Sequence, residues 1–418
     1  MKRLKKLPHA AANGLLDRRL FLKTGGMSGL ALFTAKATGQ EREKWSLNPG
    51  AGMGEYGFPS QYESHIKRSF GSRPGTTGSG SSRTPIQHLD GMITPSRLHF
   101  ERHHSGIPDI NPDQHKLIIH GLVERPLMFT LNALSRYPTV SKIQFLECSG
   151  NSGTQAILPK PRQGSVSDLH GLISCSEWGG ILLSTLLDET GLKKNAKWII
   201  AGGSDSAMMS RSIPIDKALD DAMIALYQNG ERIRPSNGYP MRLFLPGWEG
   251  NASVKWLTSL KVTSSPAMAK DETSKYSDTL DTGISELFTF PMSVKSLITS
   301  PSPGLDLHEK GVYQISGIAW SGAGKIKNVE ISTDGGKTWA KSALDQHVLP
   351  KALTRFRSAW KWDGFPATIM SRATDESGAV QPIREAWKVG RAANSFYHYN
   401  AIQAWSINEA GESSNVYV

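Results

Sequence analysis

The sequence predicts an α+β domain built on a mixed sheet, followed by an all-β sandwich of immunoglobulin type. Three observations carry that expectation. From Lys116 to residue 265, strand-like apolar runs mix with helix-like patches. From residue 285 the chain turns to short alternating strands with turn punctuation. Between the two ends of the first region, the run Lys142-Ile143-Gln144-Phe145-Leu146-Glu147 stops abruptly in Cys148-Ser149-Gly150-Asn151, a strand end that presents a cysteine at a glycine turn.

Taken in order, the first 37 residues stand apart from the fold. Lys2, Arg3, Lys5 and Lys6 are followed by Asp17-Arg18-Arg19-Leu20-Phe21-Leu22-Lys23, an apolar stretch from Gly25 to Ala35, and Ala35-Lys36-Ala37. That layout is an export signal too short to span a bilayer. The paired arginines resemble the twin-arginine signal, which carries proteins already folded, so a periplasmic protein is expected. Of the chain's net charge of +11, residues 1–40 hold +7, which leaves +4 for the rest. The basicity is therefore a property of the signal and gives no argument for nucleic-acid binding. No later run is apolar enough to span a membrane.

Residues 38–85, rich in Gly, Ser and Arg, read as an irregular arm. Residues 86–270 form the expected first domain, with strand runs at Lys116-Leu117-Ile118-Ile119, Trp198-Ile199-Ile200-Ala201 and Arg242-Leu243-Phe244-Leu245, and helix-like patches at residues 131–137, 182–190 and 215–220. Residues 285–415 form the second, with strands at residues 312–320, 328–332 and 359–362 and a hairpin signal at Asp334-Gly335-Gly336.

Only two cysteines occur, Cys148 and Cys175. In an exported protein a disulfide between them is one reading. A buried core thiol is a second for Cys148. A thiolate for a soft metal, held at a rigid strand end, is a third. No Cys-x-x-Cys-His motif is present, so no covalent haem is expected on this chain.

Several stretches, taken together and in order, weigh toward the third. Arg97-Leu98-His99-Phe100-Glu101-Arg102-His103-His104, Gly121-Leu122-Val123-Glu124-Arg125-Pro126, Leu146-Glu147-Cys148-Ser149-Gly150-Asn151, Asn237-Gly238-Tyr239-Pro240-Met241-Arg242 and Ser253-Val254-Lys255-Trp256-Leu257 resemble the sulfite oxidase family of molybdopterin enzymes across residues 90–415. Leu245-Pro246-Gly247-Trp248-Glu249-Gly250-Asn251 and Gly171-Leu172-Ile173-Ser174-Cys175-Ser176-Glu177-Trp178 are similar to its sulfane dehydrogenase (SoxC) branch. The resemblance implies a molybdenum-molybdopterin cofactor, with Cys148 as the protein thiolate on the metal. It implies Tyr227 and Arg102 as substrate-orienting residues and Arg357 as an arginine lent by the second domain. His104, Arg242, Ser253 and Lys255 fall where the family holds the pterin and its phosphate. Cys175 matches no ligand.

Departures from the family are equally informative. Ser152 and Gly153 stand where sulfite oxidases carry two arginines, His103 replaces an asparagine, and Asn237 sits at the place of a histidine. Losing paired cationic donors should weaken binding of a dianion such as sulfite. The expectation is oxidation of sulfane sulfur held on a carrier protein, with water as oxygen donor and a c-type cytochrome subunit (SoxD-like) as acceptor. Free sulfite is the alternative substrate. The family implies a homodimer through the C-terminal domain, or a hetero-oligomer with the cytochrome. Two rival readings remain: a periplasmic sulfoxide reductase, against which the second domain counts, and a non-enzymatic exported binding protein with a Cys148–Cys175 disulfide.

Overall fold

Leu117 and Ile119 alternate with exposed neighbours along Lys116–Gly121, so one face of that strand must be covered. The computed structural model describes residues 10–16, 47–72 and 76–418. In it this strand lies in a five-stranded sheet, ordered Leu127–Thr130, Lys116–Gly121, Leu257–Thr263, Trp198–Gly203, Ser210–Pro214. Lys116–Gly121 runs parallel to Leu257–Thr263 and the other neighbours are antiparallel, so the sheet is mixed, as expected. The helix Leu183–Thr190 buries Leu183, Leu186 and Leu187, an i, i+3, i+4 stripe, into the same core.

A second five-stranded sheet is antiparallel. Glu231–Arg232, Met223–Gln228, Ile173–Leu182 and Val140–Glu147 lie in that order, and Arg242–Phe244 also pairs with Met223–Gln228. The last two strands in that order, Ile173–Leu182 and Val140–Glu147, carry buried residues into the core shared with the second domain.

That domain is the expected sandwich. Lys295–Ser300, Gly311–Trp320, Thr354–Trp362 and Ala343–Leu344 make one sheet, and Ala340–Lys341, Ile326–Ser332, Ala367–Asp375, Ala404–Ile407 and Ser413–Val416 the other. Asp334-Gly335-Gly336 does turn a hairpin: Gly335 and Gly336 take φ of 70° and 87°, and Glu330 pairs with Lys341 across it. Trp320, Phe356, Trp360 and Trp405 fill the interior, and the same apolar cluster continues into Phe145, Ile173 and Cys175 of the first domain. The two domains thus share a core.

Three expectations need adjustment. The 38–85 arm is not irregular throughout, because Ser69–Ser72 and Gly80–Arg83 form a hairpin that also pairs with Glu101–His103. Small Gly and Ser residues hide such a strand from any hydrophobic pattern. Within the expected signal, residues 10–16 lie on the sandwich: Leu15 is buried in its core, the Leu16 N–H donates to Ala359 O (3.0 Å), and the Lys361 N–H donates to Gly14 O (2.9 Å). Arg18-Arg19, the apolar stretch from 25 to 35 and Ala35-Lys36-Ala37 lie outside the described residues. Finally, both cysteines are free. Cys175 faces Phe145 in register and is buried in the shared core, which pushes its thiol up to about 12. Cys148 lies past the strand end and lines a cavity instead. Among the described residues no helix is long and apolar enough to cross a membrane.

Candidate active site

Cys148 is positioned by the turn that follows it. Its N–H donates to Leu172 O (3.0 Å) and its carbonyl accepts from the Asn151 N–H (2.8 Å). Asn151 locks the turn, donating from Nδ2 to Glu147 Oε1 (2.9 Å) and accepting the Leu172 N–H (3.1 Å). Glu147 O accepts from the Gly250 N–H (2.6 Å), which ties the turn to the 245–251 loop. Burial pushes the Cys148 thiol up from its ordinary value, while the Gly150 N–H and Arg102 act the other way.

Cys148 opens on a cavity of about 690 Å³ that brings together six of the expected site residues: Cys148, Arg102, His104, Arg242, Ser253 and Lys255. Arg102 and His104 come from the third strand of the N-terminal hairpin sheet and the residue after it. The Arg102 guanidinium donates to Gly80 O (3.4 Å) and to His103 O. His104 Nε2 lies 2.7 Å from the Tyr276 hydroxyl, and burial, then Arg102 and Lys275, hold its imidazole down at about 4. It is therefore neutral at pH 7.

The opposite wall is cationic. Arg242 donates to Asn237 O (3.0 Å) and Ser253 O (2.7 Å), with its guanidinium 5.2 Å from the Trp178 ring centroid. Lys255 Nζ donates to Arg102 O (3.1 Å), Ser236 O (3.2 Å) and His103 Nδ1 (2.8 Å). Gly238, at φ of 114°, is required between them, since a Cβ there would sit 3.1 Å from Arg242 Cβ and 3.2 Å from Lys255 Cβ. Burial alone lowers Arg242 to about 9, and burial followed by Arg242 lowers Lys255 well below its ordinary value.

These two cations, Arg242 buried and Lys255 half-buried, lean on carbonyls and a ring nitrogen, and Arg242 Nε has no partner. Glu101, in the same wall, is engaged by Arg68 and His103; burial raises its carboxyl, but those two donors outweigh it and hold it at about 2. A buried guanidinium with a free donor beside a half-buried ammonium is a site for an anion. The residues present therefore fit the phosphate of a pterin cofactor at one end of the cavity and a soft metal at Cys148 at the other.

Two expected residues are not in the cavity. Along Met223–Gln228 only position 227 is exposed: Leu226 points inward, while Tyr227 is 36% exposed and carries the Arg232 guanidinium 4.4 Å from its ring centroid. Its strand neighbours do not line the cavity either: Leu226 packs in the first-domain core and Gln228 donates to Ser176 Oγ (3.0 Å). Arg357 pairs with Asp345 and, at 2.8 Å, with Asp90, on a strand of the sandwich. The phenol that does line the cavity is Tyr276, with Asn251, Asp205 and Trp256 as further lining residues the sequence did not single out. Tyr276 lies in a stretch without periodicity, at φ of 56°, between the two expected domains, and no pattern marks it.

Comparison with known proteins adds to this geometry. Residues 104–270 match the oxidoreductase molybdopterin binding domain, and residues 287–405 the Mo-co oxidoreductase dimerisation domain. The chain is 29% identical over 352 residues to the NADH nitrate reductase of Ulva prolifera, covering 74% of this chain but only 40% of that protein. It is 28% identical over 338 residues to the sulfite oxidase of Gallus gallus, covering 73% of this chain and 72% of that one. Among solved structures, the sulfane dehydrogenase SoxCD from Paracoccus pantotrophus matches with a TM-score of 0.88 and 41% identity, covering 90% of this chain and 98% of the other.

Proposed function

Because the chain belongs to the sulfite oxidase family of molybdopterin oxidoreductases, we propose that it oxidises sulfane sulfur presented on a carrier protein and passes the electrons to a c-type cytochrome. The coarser statement, molybdenum-dependent oxidation of sulfur, follows from the family. The finer one is supported above all by the 41% identity to a sulfane dehydrogenase across 98% of that chain. When bound, the cofactor supplies a redox metal that takes up two electrons for each oxygen atom given to sulfur.

The residues of this chain then divide the remaining work. Arg242, held by the Ser253 carbonyl, and Lys255 hold the cofactor phosphate end, and Cys148 offers the thiolate. Arg102 faces the substrate side and counters its negative charge. His104 Nε2 and the Tyr276 hydroxyl, hydrogen-bonded at 2.7 Å, hold a phenolic donor in place at the substrate side. Each oxygen atom added comes from one water and releases two protons and two electrons, so two one-electron transfers to the cytochrome complete each addition. A homodimer through the second domain, a separate cytochrome subunit and export to the periplasm complete the reading.

Free sulfite is the second reading, favoured by the similarity to animal sulfite oxidase. Cytochrome c reduction by the purified, molybdenum-loaded protein separates the two. Turnover with a thiosulfate-charged carrier and little with sulfite supports the proposal. Rapid turnover with sulfite alone overturns it.

A further inference from the structure

Outside the cofactor cavity lies a second chamber of about 930 Å³ that shares Cys148, Arg102, His104 and Tyr276 with it. Its outer wall is Phe396 and Tyr397, and both belong to the second domain. The Phe396 ring sits on the Cys148 turn itself. A Cβ at Gly150 would lie 2.8 Å from the ring, and one at Gly153 would lie 2.4 Å from Phe396 O and 2.8 Å from the ring. No side chain, charged or otherwise, therefore fits at 150 or 153 while Phe396 is in place.

The segment is fixed on this turn. The His398 N–H donates to Ser149 O (2.9 Å), and His398 Nδ1 lies 2.8 Å from Asp278 Oδ2. Phe396 meets Tyr397 edge-on at 5.4 Å, and Tyr397 meets Tyr276 at 5.5 Å. The chamber thus has a continuous aromatic side. Its charged lining is Arg102 and Lys275, with no carboxylate among the lining residues. Two cations beside rings along the wall suit a ligand with an anionic tip and an uncharged stem.

We propose that Phe396 and Tyr397, lent by the second domain, form the selecting wall of the substrate chamber, admitting an anionic sulfur chain on an uncharged tether ahead of a free anion that has no stem to lay along the rings. This deepens the sulfane reading and rests on it. The terminal sulfur of a cysteine persulfide fits these terms, with its charge toward Arg102 and its peptide stem along the rings.

The test compares cofactor-loaded wild type with Phe396→Leu, Phe396→Ala and Tyr397→Ala on two probes, sulfite and a short uncharged peptide carrying a cysteine persulfide. Ferricytochrome c is the acceptor in every assay. The alanine variants should shift the ratio of kcat/KM against the peptide by about tenfold, chiefly through KM, and Phe396→Leu, which keeps apolar fill, by less. Calorimetric binding of the S-sulfonated peptide should weaken in parallel. Molybdenum content and thermal midpoint identify any variant that fails to fold, and Phe396→Leu and Tyr397→Ala then carry the comparison. An unchanged ratio and unchanged binding in the folded variants overturn the wall. If wild type prefers sulfite but the ratio still shifts in the variants, the sulfane reading fails while Phe396 stands as a discriminating residue.

Discussion

Tyr276 and Tyr227 offer a direct contrast at the scale of single residues. The Tyr276 hydroxyl touches His104 inside the cavity, whereas Tyr227 stacks against Arg232 outside it. Tyr276→Phe should lower kcat/KM by about 100-fold, the effect of losing one aimed donor. Tyr227→Phe should stay within about twofold, as outward-facing substitutions do. Steady-state kinetics on the loaded enzyme checks both. Cys148→Ser should lower turnover by at least about 100-fold while the protein keeps its thermal midpoint, because the thiol adds little to packing and much to the metal site. Which residues the sequence reveals follows the same logic. Cys148, Arg102, Arg242 and Lys255 are legible because each sits at or beside a strand with an unusual neighbourhood in an ordered set of stretches. Tyr276 lacks any such frame, and Tyr227, although it sits in a recognisable strand, lies on a stretch of that strand that does not reach the cavity.

Between elements, buried charge does the joining. Lys295, from the first strand of the sandwich, reaches Ser152 Oγ (2.8 Å) and Glu147 Oε1 (3.4 Å), and the Trp320 Nε1–H donates to Glu147 Oε2 (2.6 Å). Lys295→Ala leaves Glu147 buried without its cation and should cost about 3–5 kcal/mol in denaturant unfolding. His398 lies between Asp278 and Glu249, with Arg211 paired to Glu249 at 2.9 Å and Arg391 3.2 Å from Asp278. Burial disfavours its charge, but the hydrogen bond to Asp278 and the Glu249 carboxylate beside it outweigh burial and raise it to about 9. A raised histidine stabilises fully below its ordinary value of 6.5 and loses that contribution as pH rises through about 9. The thermal midpoint should therefore drop between pH 7 and 9.5, and more steeply than in His398→Gln. Equal slopes would remove His398 from the account. None of this network is visible in sequence, because most of its pairs lie more than a hundred residues apart and no local period connects even the nearer Arg211 and Glu249, 38 residues apart.

Across the whole molecule, the two-domain plan was readable from the change of strand texture near residue 285, but the shared core was not. Phe145 and Trp320 are separated by too much chain for any pattern to pair them, and it is their packing that makes the second domain part of the first domain's site. The same limit hid the N-terminal contact. Charge and hydropathy mark residues 1–37 as an export segment, yet Leu15 is 1% exposed against the sandwich, and Trp360 Nε1–H donates to Asn13 O (2.7 Å). If export removes that segment, a strand edge and an apolar seat at Trp360 lose their cover. Hydrogen exchange reads this directly. In the full-length chain the Lys361 amide donates to Gly14 O and should exchange slowly. In protein lacking residues 1–37 the same amide should exchange much faster, while strand-paired amides such as Ile318 and Phe356, deep in the sandwich, stay protected. Equal protection of Lys361 in both forms would mean that some other surface, such as a second copy of the chain, covers this edge, and sedimentation at two concentrations would then reveal that copy.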